Sequence, residues 1–212
     1  NISDAEHNID NLIPYIQGHS LTEEIFYMNL IDVKNFRFMQ GTRQIDKGPM
    51  FQVEFLEPII DMAKNLFDIV IINTNSAIDN AGTFIGLSKA DKVVMVLNQN
   101  VLHFKKYIDK AQLMGNLLTS PIVLVNKYNK NILLTLDNIK ENLNTDAYPL
   151  AEVDNLAVIN DFNAQTSIFE TFSSKRAKRF EEDLTVFAGK LLVLLGLKDE
   201  VETVKKKRLF GR

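Results

Sequence analysis

The chain has 212 residues, 46% of them hydrophobic and 24% charged, with a net charge of −3 and no cysteine. That length suits one domain with a sizeable core, and the composition is ordinary for a soluble globular protein. The mild acidity argues against global nucleic-acid binding, the lack of cysteine excludes disulfides and thiol chemistry and fits a reducing, cytoplasmic setting, and the most apolar stretch, Leu184 to Leu197, is too short to span a bilayer and contains Lys190.

In chain order, Ile9, Leu12, Ile13 and Ile16 recur at helical spacing, with Pro14 predicting a break. Thr22 is placed to cap a short helix through Met28, and Glu23 and Glu24 suit the positive end of its dipole. Residues 33–39 alternate as a strand, and 42–49 read as a charged, solvated loop. Phe51, Phe55, Ile59, Met62 or Ala63, and Leu66 form a helical stripe in which Pro58 predicts a kink or a restart.

Ile69 to Ile72 is an uninterrupted β-branched run, too short for a helix, which predicts a strand over 67–73 buried on both faces. It ends in Asn73, Thr74, Asn75 and Ser76. Lys92 to Asn98 and Pro121 to Tyr128 repeat the pattern, each an apolar strand stopped by Asn. Helices are expected between them, over about 100–118 and 131–143, and a last short strand at Ala147-Tyr-Pro-Leu-Ala151. A long helix should run over 175–197, with Phe180, Leu184, Phe187 and Leu191 facing inward. Its first turn holds Lys175, Arg176, Lys178 and Arg179, which oppose the helix dipole unless the helix starts earlier, near Thr166. Three apolar strands alternating with amphipathic helices predict a three-layer α/β fold with a mostly parallel sheet, in which chemistry sits at the carboxyl ends of the strands.

These stretches, Phe67-Asp-Ile-Val-Ile-Ile-Asn-Thr, Ala90-Asp-Lys-Val-Val-Met-Val and Val123-Leu-Val-Asn-Lys-Tyr, together with Asn35-Phe-Arg-Phe-Met-Gln-Gly41, resemble in order the later two-thirds of MinD/ParA-type P-loop ATPases. Within that family the pilus-assembly localisation proteins of the TadZ/CpaE kind are the most similar. The resemblance implies a P-loop NTPase-like fold, ATP with Mg²⁺ as cofactors, a homodimer, and protein partners in a localisation or secretion machinery. It implies that Thr74 and Asn75 lie at a switch near the γ-phosphate and that Asn73 stands at the Mg²⁺-proximal position. It further implies that Asn126, followed by Lys127, reads the adenine edge, which Pro149 and Leu150 line.

Two features depart from the family. A glycine-rich loop carrying Lys and Ser/Thr does not occur in these residues, so the chain is expected to begin downstream of it. Residues 1–198 then form an ATPase domain lacking its phosphate-loop segment, with 199–212 as a basic tail. Asn73 replaces the usual Asp, and an amide lacks the charge a hard dication favours. The functions to weigh are therefore an ATP-dependent localisation switch, a non-catalytic module on the same fold, and a ParA-like partition protein using Lys175 to Arg179 on DNA, which the acidic balance opposes. For Asn73 and Asn126 the alternative role is capping of free backbone groups at strand ends. The tail, with Lys205, Lys206, Lys207, Arg208 and Arg212 around Leu209 and Phe210, resembles the membrane-reaching terminus of MinD proteins and implies weak contact with anionic lipid. No nucleophile elbow or zinc-protease helix occurs, and His7, His19 and His103 are scattered along the chain.

Overall fold

In a computed structural model of the chain, residues 7–33, 35–43, 51–74, 80–118, 121–152 and 175–199 are described, and the chain divides after Ala90 into two units. No linker composition marks that point in the sequence.

In the first unit, Asn8 opens a 3₁₀ turn, Ile9–Leu12, by accepting the Asp10 N–H at 2.9 Å. The turn runs directly into α1 (Ile13–Gln17). Pro14 occupies the first turn of α1, where its missing N–H has no partner to lose, so it starts a helix instead of breaking one. α2 (Glu23–Met28) begins as its residues predict: the Thr22 hydroxyl accepts the Ile25 N–H at 3.3 Å, with Glu23 and Glu24 in the first turn.

The single strand expected over 33–39 is instead an antiparallel hairpin, β1 (Ile31–Val33) and β2 (Phe36–Phe38). Across the hairpin Asp32 stands opposite Arg37, and the two side chains pair at 2.7 Å. Arg37 also lies over the Tyr27 ring, 4.7 Å from its centre.

α3 (Val53–Leu66) passes through Pro58 as one helix. The lost hydrogen bond and ring clash cost about 3 kcal/mol. Each well-buried aliphatic side chain contributes about 1.5–3 kcal/mol, and α3 packs Ile59, Met62, Ala63 and Leu66 around Leu12 and Phe26. Packing therefore outweighs the proline. α4 (Ala81–Lys89) starts where the Asn80 side chain accepts the Thr83 N–H at 2.8 Å.

The largest correction concerns 67–73. Phe67 is extended, at φ −130° and ψ 140°, but residues 67–74 join no β-ladder among the described residues. Ile71 is 88% exposed and Ile69 49%. An apolar β-branched run states a preference for burial; a strand also needs a neighbouring backbone for its N–H and C=O groups.

The second unit holds the parallel sheet. β3 (Val94–Asn98), β4 (Ile122–Tyr128) and β5 (Ala147–Ala151) lie in that spatial order, so β4 is central. α5 (Val101–Met114) continues into a 3₁₀ turn over Gly115–Leu118, α6 spans Leu136–Leu143 and α7 spans Lys175–Leu194. β4 shows the double burial expected of a central parallel strand. Val123 and Val125 pack with Phe104 of α5 and Ile139 of α6, while Ile122 and Leu124 pack with Leu150 and Phe187 of α7. Helices thus cover both faces of the sheet in three layers, the α/β class read from the sequence.

α6 begins later than its apolar spacing suggests. Thr135 and Asn138 form a reciprocal capping box, which fixes the start at Leu136 and leaves Leu133 95% exposed. The earlier start of the last helix near Thr166 and the basic tail lie outside the described residues.

Candidate functional site

The edge strand β3 ends at Asn98, which lies in register with Asn126, two residues before the end of the central strand β4. The Asn126 Nδ2 donates to Asn98 Oδ1 at a long 3.4 Å, and the Asn126 Oδ1 accepts the Lys127 N–H at 3.0 Å. Lys127 takes φ +54°, a left-handed conformation uncommon outside glycine, and the ladder between β4 and β5 shifts register from Val125 to Tyr128. The chain therefore turns a corner immediately after Asn126. Capping and recognition are both available to this amide. One N–H and one oxygen lone pair are engaged locally, and one of each remains for a ligand.

Gln99 follows directly on β3 and crosses to the chain beyond this corner. Its Oε1 accepts the Asn129 N–H at 2.8 Å, and its Nε2 donates to the Leu134 and Asn129 carbonyls at 2.7 and 3.2 Å. Asn100 caps α5 through the Leu102 N–H at 2.8 Å, and Asn129 caps its own loop through the Asn131 N–H at 3.0 Å. The carboxyl edge is thus a cluster of neutral amides. Gln99 is absent from the sequence-level set of site residues, because a lone Gln after a strand has no spacing signal; a run of amide side chains at 98–100 was the available clue.

Pro149 and Leu150 lie within β5, with Pro149 in register with Val125. A proline is tolerated there because β5 is an edge strand. Leu150 is buried in the cluster that holds Phe187. The end of β5 is held by Asp183 of α7, whose carboxylate accepts the Ala151 N–H at 3.0 Å and pairs with Arg179, also at 3.0 Å. Arg179, one of the four cations early in the described part of α7, therefore has a partner one turn along its own helix. Tyr148 stacks edge-on against Phe187 at 5.6 Å, and burial, then Asp146, pushes its phenol up.

In the first unit Asn73 is exposed, Thr74 is half-buried against Gly86, and Asn75 lies outside the described residues. Among the described residues no group of three or more His, Asp or Glu side chains is placed to hold a metal ion. The two described glycines with positive φ, Gly115 and Gly196, each close a helix and do not form a phosphate-cradling turn. Among the described residues no glycine-rich turn forms a cradle for phosphates. No described helix is long and apolar enough to cross a membrane.

No protein-family model and no curated protein matches the chain in sequence. Solved structures do match in shape. A ParA family ATPase from Chlorobium tepidum superposes with a TM-score of 0.69 at 13% identity, over 84% of this chain and 75% of that one. A protein assigned to plasmid partition in Borrelia burgdorferi, solved with AMPPNP bound, gives a TM-score of 0.52 at 14% identity, over 86% and 84% of the two chains. At these identities the likeness establishes the fold: an α/β fold of the kind found in ParA-family ATPases.

Proposed function

We propose that the chain belongs to an ATP-dependent, ParA/MinD-like switch and supplies its adenine-reading edge. The observation that carries this is the Asn126 amide, placed near the carboxyl end of the central strand with one donor and one acceptor left over. A purine edge is recognised by that donor–acceptor combination. The fold likeness, including a neighbour solved with an ATP analogue, supports the same reading. In this scheme ATP favours a homodimer, hydrolysis resets it, and the dimer positions protein partners of a pilus or secretion system; the basic tail adds a weak hold on anionic membrane.

A second reading has its own support. Asn73 is a neutral, exposed amide where the family carries the Mg²⁺-proximal carboxylate, which favours a module that keeps the fold and has lost hydrolysis. Titration calorimetry of the full-length protein with ATP and GTP separates the possibilities. Adenine preference that disappears in Asn126→Ala, in a variant that still folds, supports the switch. Equal affinity for ATP and GTP in the wild type returns Asn126 to a purely capping role. ATP binding without turnover supports the second reading.

A further inference from the structure

Gln99 makes three hydrogen bonds through one side-chain amide, and their chemistry fixes its orientation. A backbone N–H must meet Oε1 and the two carbonyls must meet Nε2, so no flipped amide satisfies all three. Two of the bonds go to the N–H and C=O of a single residue, Asn129, as a neighbouring strand would bond it. They catch the chain just after the ladder has lost its register at Lys127. The corner that carries Asn126 is therefore fixed from both sides, by the ladder through Val125 and by Gln99 at Asn129. Asn126 itself makes one long bond to Asn98 and one to its own neighbour, too little to set its direction.

We propose that Gln99 is a positioning residue for base recognition: it braces the Asn126–Asn129 corner so that the Asn126 amide points its free donor and acceptor at an adenine edge. The role in recognition rests on the nucleotide reading above; the brace does not. Gln99→Glu keeps length and shape and retains the acceptor for the Asn129 N–H. It turns a carboxylate without protons toward the Leu134 and Asn129 carbonyls, so the brace opens while the sheet core is untouched. Gln99→Leu removes all three bonds and serves as the second variant.

Two readouts test the proposal on the full-length protein. In the absence of nucleotide, amide hydrogen exchange at Asn129 should accelerate in Gln99→Leu, which loses the acceptor for that N–H, with Val123 as protected as in the wild type. In competition binding, the preference for ATP over GTP should fall about tenfold, the scale of one bidentate base contact, with GTP affinity unchanged. A purely structural residue would lower affinity for both nucleotides together. Unchanged Asn129 exchange overturns the brace, and an unchanged ATP-to-GTP ratio with faster exchange overturns the role in recognition. A wild type that binds neither nucleotide overturns the function proposed above, and the exchange experiment still reports on the brace by itself.

Discussion

Gly86 and Thr74 touch so closely that no side chain fits between them: a Cβ on Gly86 would stand 2.9 Å from the Thr74 methyl and 3.2 Å from Ile72 Cγ2. Here glycine serves close approach, since α4 lies against Ile72 and Thr74 with no room for a methyl. Gly86→Ala should destabilise the protein by about 1–3 kcal/mol, the usual cost of overpacking. Thr74→Ser deletes the methyl it would strike, so the double variant should recover part of that loss in urea denaturation. Strict additivity of the two changes would show that they do not meet.

Ile139 and Leu133 look alike in the apolar pattern of their segment, yet one is 1% exposed and the other 95%. Ile139→Ala should cost about 2–5 kcal/mol by transfer and cavity terms. Leu133→Ala should stay within about 0.5 kcal/mol of wild type. A comparable loss at both positions, read from denaturation midpoints at constant slope, would place Leu133 in the core.

Lys127 holds φ +54° without being glycine. The left-handed conformation costs a side-chain-bearing residue about 1 kcal/mol. Lys127→Gly should therefore raise stability slightly, despite the added freedom of the unfolded chain, and Lys127→Val should lower it by more than 1 kcal/mol, about the extra strain of a β-branched residue there. Thermal unfolding of the three proteins should rank Gly above Lys above Val; a Val variant as stable as wild type would mean the corner relaxes out of this conformation.

Burial raises the Tyr107 phenol above its ordinary value of 10.0. Hydrogen bonds to Glu57, then Asp61, raise the Lys89 ammonium above 10.5. Both folded values lie above the unfolded ones, so each group contributes stability that is complete below its unfolded pKa and lost as pH rises through the folded one. The urea midpoint should fall as pH rises above about 10, and Tyr107→Phe should show a smaller fall because its share is gone. An identical fall in the variant would assign the alkaline loss to other groups.

What the residues determine by themselves here is local. Thr22 starts α2 because its hydroxyl meets an orphan N–H three residues on, a contact that needs no distant partner. β4 and β5 are legible because apolar runs closed by polar or turn residues state both their length and their burial. The tertiary structure decided what depends on a partner. The run Ile69–Ile72 has every local mark of a buried strand and pairs with none among the described residues, since pairing belongs to two segments and a sequence pattern describes one. Pro58 sits mid-helix because packing on Leu12 and Phe26 outweighs its local cost. Asn126 was visible as a strand-ending amide, but the corner behind it was not. That corner depends on Gln99, 30 residues from Asn129 in the chain, and a hydrogen bond over that separation leaves no period, spacing or cap to read.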